Sequence, residues 1–194
     1  VLNVDGKKTS FHNDKILADV AVVDPAFIEG TPMEVIKNSA IDACAQCSEA
    51  YDSKLSNHYT KFLCNTAFDI LEYAILNDKF EKLALGSLLT GLGFGNSSTT
   101  LGHALSYVYS NEGVAHGHAL SFTTLVAHEF NNSIFHKRFE SIVKKLNFKK
   151  LSLNLDLNMA SEIILEDKKH LDNNPTPITK NEIIRLLKEI NLSQ

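Results

Sequence analysis

The sequence predicts a mainly α-helical domain preceded by a short β pair. Three observations carry that reading. Residues 1–30 are rich in β-branched residues set between polar turn material. From Thr31 onward the apolar residues recur at three-four spacing. Helix start and stop signals then punctuate the helical part at intervals of ordinary helix length. The chain accordingly divides into residues 1–30 and a helical domain over residues 31–194.

The elements follow in order. Val1-Leu2-Asn3-Val4 and Ala18-Asp19-Val20-Ala21-Val22-Val23 are the two expected strands, the second ended by Asp24-Pro25. Gly30-Thr31-Pro32 breaks the chain before a helix. Thr31 is its expected N-cap, with Pro32 at the first helical position and Glu34 three residues on. Phe62, Leu63, Thr66, Ala67, Ile70, Leu71, Ala74 and Ile75 keep the spacing of an amphipathic helix. Residues 80–94 are apolar nearly all round, which predicts a buried central helix. Ile134, Phe135, Phe139, Ile142, Val143 and Leu146 form another stripe. Residues 147–158 read as a connection in which Leu151, Leu153, Leu155 and Leu157 alternate as in a strand. Two final helices are expected over residues 159–169 and 179–191, around the loop Asn173-Asn174-Pro175-Thr176-Pro177, with Thr179 and Glu182 as a capping box.

Composition narrows the function classes. The chain has 194 residues, enough for a sizeable core, with 44% apolar and 22% charged residues and a net charge of −4. That balance gives no electrostatic attraction to nucleic acid or to anionic lipid. No apolar run reaches membrane-spanning length and no signal peptide is visible. The three cysteines, Cys44, Cys47 and Cys64, are too few for a disulfide framework, so a reducing, cytoplasmic setting is expected. Cys44-Ala45-Gln46-Cys47 has the spacing of a redox pair but lies inside a predicted helix, away from the helix start that lowers a thiol pKa. Gly86, Gly91, Gly93 and Gly95 follow no predicted strand, so close helix packing explains them better than a phosphate loop.

The residues that carry chemistry are Asp42, His103 and His116. Asp42 opens Asp42-Ala43-Cys44-Ala45-Gln46, and the two histidines stand beside glycines in Gly102-His103 and His116-Gly117. An acid and two histidines on three separate helices suit a catalytic metal site with an open position. Gln46 lies one turn after Asp42, on the same face, as a fourth ligand or a partner of the others. Tyr107 and His118 are candidates for proton relay or for holding an anionic substrate tail. His12, His58, His128, His136 and His170 are read as solvated or structural.

In this order and spacing these pieces resemble the iron-containing (group III) alcohol dehydrogenases, the fold shared with dehydroquinate synthase. Asp42-Ala43 with Glu49 is similar to that family's first metal helix, and Gly95-Asn96 through Gly102-His103-Ala104-Leu105-Ser106 to its central segment. His116-Gly117 resembles its Pro-His-Gly turn, and Asn174-Pro175 with Ile178-Thr179 and Glu182-Ile183 its ending. Three positions depart from the pattern: Gln46 where a histidine is usual, Tyr107 where a histidine commonly follows, and Ala115 in place of proline.

The resemblance implies an all-helical metal-binding domain, with residues 1–30 as trailing strands of a nucleotide-binding domain whose phosphate loops lie upstream. It implies a divalent metal, Fe2+ or Zn2+, on Asp42, Gln46, His103 and His116, with NAD(H) or NADP(H) held by the other domain. The reaction implied is interconversion of a small aldehyde and its alcohol, the substrate carrying an anionic tail as in phosphonoacetaldehyde or a short semialdehyde, in a homodimer or larger homo-oligomer. The competing readings are a helical metal-binding or interaction module without catalysis, and a lyase like dehydroquinate synthase.

Overall fold

The computed structural model describes the backbone of residues 2–4 and 7–9 and the whole of residues 18–192. Strands β1 (Leu2–Val4) and β2 (Lys7–Thr9) pair antiparallel, with Leu2 opposite Thr9. The second strand therefore lies earlier than expected. Residues 18–23 run without regular structure, and Val20, Val22 and Val23 are exposed. β-propensity alone does not make a strand, because the backbone still needs a paired neighbour. His12 and Val1 lie outside the described residues.

Nine α-helices follow among the described residues: α1 (Met33–Asp52), α2 (His58–Leu76), α3 (Leu83–Phe94), α4 (Leu101–Asn111), α5 (His116–Phe130), α6 (His136–Leu146), α7 (Leu157–Glu166), α8 (Lys168–Asn173) and α9 (Lys180–Leu192). None is long and apolar enough to cross a membrane.

Local departures from the expectations have simple causes. α1 begins one residue late: Pro32 is its N-cap, and Thr31 Oγ1 donates back to Phe27 O instead of capping. α3 is not the buried centre of the bundle. Leu85, Leu88 and Leu92 are exposed, while the small residues Gly86, Thr90 and Gly93 face inward. A Cβ on Gly86 would stand 2.7 Å from Leu71, and one on Gly93 2.5 Å from Cys64 Sγ, so α3 lies close on α2 through its small-residue face. Gly91 has open space around it and plays no such part. The alternating leucines of residues 151–157 form no strand before α7. The N–H groups of Asn154 and Leu155 donate to the Glu112 carboxylate at 2.8–3.1 Å, and Leu151 is buried. The final capping box is as expected: Glu182 Oε2 accepts from Thr179 N and Oγ1, both at 2.7 Å.

Two apolar cores result. One gathers α1, α2 and α6 around Ile41, Phe68, Leu71, Phe135 and Phe139. The other gathers α4, α5, α7 and α9 around Leu105, Tyr109, Ile164 and Leu187. α5 serves both, giving Leu120 to the first and Ala119, Val126 and Ala127 to the second. α1, α4 and α5 therefore meet at the seam between the cores, and polar side chains concentrate there. α8 is sewn to the same seam: Asn173 Nδ2 donates to Ser97 O at 2.9 Å and Thr99 O at 3.1 Å, and Asn174 exchanges amide hydrogen bonds with Asn131.

Candidate metal centre

Asp42, Gln46 and Glu49 fall at i, i+4 and i+7 on α1, one stripe of the helix, which looks across the seam at the first turns of α4 and α5. Each of those turns is anchored by a residue of α1. Asn38 Oδ1 accepts from His118 N at 2.8 Å, satisfying one of the N–H groups that α5 leaves without a helical partner. Gly117 permits that approach: a Cβ there would stand 2.1 Å from Asn38 O. Glu49, 1% exposed, does the same for α4. Its Oε2 accepts from Thr100 N at 2.6 Å and Thr100 Oγ1 at 3.1 Å, and its Oε1 from Thr124 Oγ1 at 3.1 Å. A carboxylate at a helix N-terminus is also favoured by the helix dipole.

The result is convergence. One ligand atom from each of Asp42, His103 and His116 lies within 4.8 Å of the other two. His103 Nε2 is 3.6 Å and His116 Nε2 is 3.9 Å from Asp42 Oδ1. The other nitrogens face away: His103 Nδ1 lies 3.3 Å from Glu49 Oε2, and His116 Nδ1 lies 3.5 Å from Ser106 Oγ. Ser106 Oγ itself donates to His103 O at 2.8 Å, which leaves the hydroxyl oxygen to accept from His116 Nδ1. That network places the His116 proton on Nδ1 and turns the Nε2 lone pair toward Asp42.

The electrostatics of the seam favour positive charge. Burial pulls the pKa of His103 down, but the Glu49 and Asp42 carboxylates outweigh it and push the ring up to about 9. Burial pushes Glu49 up, and the His103 charge with the hydrogen bonds it accepts outweighs that, bringing it down to about 2. Two carboxylates thus share one imidazole. Both His103 ring nitrogens are buried; Nδ1 has the Glu49 carboxylate 3.3 Å away, and Nε2 has no hydrogen bond. Native structures seldom leave such atoms unsatisfied, and an ion at the centre would satisfy Nε2. A carboxylate with two imidazoles is also a donor set suited to Fe2+ or Zn2+. The residues present fit a divalent metal.

Other predicted residues fall differently. Gln46 Nε2 donates to Asp42 Oδ1 at 3.0 Å, so the amide orients the carboxylate. Tyr107 stands at the site, its ring nearly parallel to that of His116 with centroids 6.4 Å apart. His118 does not reach it. Two residues of helix rotate a side chain by about 200°, and the His118 ring bonds Lys149 O at 2.5 Å and stacks on Phe148. His170, read as solvated or structural, is buried at the centre's edge. Its ring stacks on His103 with centroids 6.1 Å apart, meets Tyr107 edge-on, and holds Asp167 Oδ2 on Nδ1 at 2.6 Å. No local sequence signal marked it, because α8 is too short to show a period. Glu49 had a signal in its i+7 spacing from Asp42.

A second constellation has the residue types of a serine nucleophile but not the arrangement. His128 Nε2 is 2.8 Å from Ser48 Oγ and its Nδ1 is 3.9 Å from Asp52 Oδ2. Ser48 Oγ already donates to Cys44 O at 2.7 Å, and both Ser48 and His128 are buried. The imidazole therefore donates to the serine rather than activating it. Burial holds His128 down at about 4 and pushes Asp52 up to about 6. The signs oppose. His128, neutral in the fold, costs stability as pH falls from its ordinary 6.5 toward 4, whereas Asp52 adds stability over the same fall, from 6 toward its ordinary 3.8. Asp52→Asn removes the compensating group. Urea titrations should show its unfolding free energy falling more steeply than the wild type's between pH 6 and 4, by up to about 1.4 kcal/mol per pH unit. Equal slopes would contradict this assignment.

The model of the Fe-containing alcohol dehydrogenase family, C-terminal, matches residues 36–164. The chain is 33% identical over 131 residues to the 4-hydroxybutyrate dehydrogenase of Clostridium kluyveri, an alignment covering 61% of this chain and 35% of that protein. An iron containing alcohol dehydrogenase from Thermococcus thioreducens superposes with a TM-score of 0.82 at 21% identity, over 94% of this chain and 57% of that one. Sulfoacetaldehyde reductase from Bifidobacterium kashiwanohense, solved with NAD+, superposes with a TM-score of 0.77 at 20% identity, over 88% and 54%. The chain thus spans about half the length of these proteins, or less. With the matching region running from α1 into α7, across every residue of the convergent cluster, the chain belongs to the Fe-containing alcohol dehydrogenase family and carries its C-terminal helical part.

Proposed function

We propose that this chain is the metal-binding half of an NAD(P)-linked alcohol dehydrogenase or aldehyde reductase. Residues 31–194 are the metal-binding domain in this reading, and residues 1–30 belong with the nucleotide-binding domain that holds NAD(H) or NADP(H). The observation that carries it is the convergence of Asp42, His103 and His116 within 4.8 Å. These three would hold Fe2+ or Zn2+, with Gln46 steadying Asp42 through the hydrogen bond it donates. When bound, the ion supplies Lewis acidity toward a carbonyl or alcohol oxygen.

The chain's own residues shape the rest of the pocket. Ser106 fixes the His116 ring. Tyr107 and His170 stand against the two histidine rings and narrow the space beside them. Asp167 holds His170 by Nδ1. Tyr107 and His170 are the groups we assign to the substrate, in preference to His118, whose ring is committed to Lys149 O.

We further propose a small aldehyde with an anionic tail as substrate. The names of two similar proteins, 4-hydroxybutyrate dehydrogenase and sulfoacetaldehyde reductase, both denote compounds with an acidic group a short chain away from the reacting carbon. The test joins this chain to the nucleotide-binding domain and follows NADH or NADPH oxidation. A short semialdehyde and phosphonoacetaldehyde are each compared with an uncharged aldehyde of equal length. The expected result is a kcat/KM at least about tenfold higher for the anionic aldehydes, a difference of ~1.4 kcal/mol in transition-state binding. Equal values would remove the anionic tail from the proposal, and no turnover with any aldehyde would remove the activity.

A further inference from the structure

We propose that Glu49 is a positioning residue for the metal centre: its carboxylate fixes the proton of His103 on Nδ1 and so presents Nε2 to the ion. The inference rests on the metal reading above and adds the residue that makes His103 a competent ligand. Imidazole binds a metal through a nitrogen lone pair, so the ring must carry its single proton on the other nitrogen. His103 Nδ1 looks at Glu49 Oε2, 3.3 Å away, and Nε2 looks at Asp42 Oδ1, 3.6 Å away. Both carboxylates are acceptors only, but Glu49 is the nearer and the buried one, whereas Asp42 Oδ1 already accepts from Gln46 Nε2, so a neutral His103 keeps its proton on Nδ1.

The carboxylate is itself held from three sides. Thr100 N and Thr100 Oγ1 donate to Oε2, and Thr124 Oγ1 donates to Oε1. Gly102 leaves the room it needs: a Cβ there would stand 2.2 Å from Glu49 Oε1 and 2.7 Å from Thr124 Oγ1. α1, α4 and α5 therefore each contribute to placing one carboxylate under one histidine. Glu49 lies seven residues after Asp42 on the same helix, so the residue offering an oxygen to the ion and the residue aligning the imidazole are rigidly coupled.

Glu49→Gln is the discriminating variant, because Thr100 N, donating to the amide oxygen, keeps an acceptor beside His103 Nδ1 while the charge that holds the Nδ1 proton and raises the basicity of Nε2 is lost. Zn2+ and Co2+ are titrated separately into the wild-type chain and the variant by calorimetry, with circular dichroism as a check on folding. The expected result is binding weakened by roughly 10–100-fold in Glu49→Gln, the range typical for loss of an outer partner. In the metal-free chain, at a pH where the His103 ring is neutral, its 15N chemical shifts are expected to show Nδ1 protonated in the wild type and a loss of that preference in Glu49→Gln, a readout that a merely structural glutamate would not set. If Glu49→Gln does not fold, Thr124→Val, which frees Oε1 and leaves the charge, is expected to weaken Zn2+ binding several-fold. If the wild type binds Zn2+ and a folded Glu49→Gln binds it within twofold, or if the neutral, metal-free wild type carries the His103 proton on Nε2, the role of Glu49 is overturned and the metal reading stands. If the wild type binds neither ion, both fall.

Discussion

Replacing Gly117 with alanine is expected to part α5 from α1 and to lower the melting temperature sharply. The Cβ would meet Asn38 O at 2.1 Å, Asn38 C at 2.6 Å and Asn38 Cα at 2.7 Å. All three are main-chain atoms of a helix, so no side-chain rotation relieves the clash, and one helix must move. Moving α5 breaks the hydrogen bond from His118 N to Asn38 Oδ1 and carries His116 away from Asp42. Overpacking of this kind costs about 1–3 kcal/mol, and main-chain contacts this short place Gly117 at the upper end. For a chain of this size that is a fall of roughly 6–12 °C. Gly91→Ala is the control, since nothing lies within 4 Å of its Cβ, and alanine favours helix there. Calorimetric melting of the two variants checks the account, and equal melting temperatures would contradict it.

The second large effect concerns His103. His103→Ala is expected to lower Zn2+ and Fe2+ affinity by more than the roughly 10–100-fold that the loss of an outer partner costs, because a ligand itself is removed. The same change leaves Glu49 buried with its threonine hydrogen bonds but without the imidazole beside it. Some loss of stability is therefore expected along with the loss of metal, which makes folding a necessary control. In the enzyme completed with its nucleotide-binding domain, turnover should fall by about a thousandfold or more, the several kcal/mol that a Lewis acid supplies. Binding of the nicotinamide cofactor, measured by fluorescence titration, should change little. Substantial turnover in a His103→Ala enzyme free of metal would refute the proposed chemistry.

The parts of this molecule legible in the sequence are those fixed by local periodicity and by side-chain chemistry. α2 and α6 announce themselves by three-four spacing, and the Thr179–Glu182 capping box by the residue types it needs. Asp42, His103 and His116 could be picked out because their side chains suit a metal and the two histidines stand beside glycines. Their glycines proved to serve close packing, Gly102 against Glu49 and Thr124 and Gly117 against Asn38. What depends on long-range partners was not legible. The strand expected over residues 18–23 lacks a paired neighbour, whereas Lys7–Thr9 pairs with Leu2–Val4. The apolar run of α3 said nothing about which face turns inward, and the small residues do. His118, expected to serve as a relay or to hold a substrate tail, is sent away from His116 by the turn of α5 and bonds Lys149 O. His170 reaches the centre only because α8 is tied by Asn173 to the loop before α4.

The central claim is that Asp42, His103 and His116 are the ligands of one ion. Anomalous diffraction at the zinc edge, from crystals of this chain grown with Zn2+, tests it most directly. The account predicts a single strong peak within bonding distance of Asp42 Oδ1, His103 Nε2 and His116 Nε2, about 2.0–2.2 Å from each, and absent from His103→Ala crystals. A peak on other residues, or none in Zn2+-grown crystals whose three side chains are ordered, would contradict it.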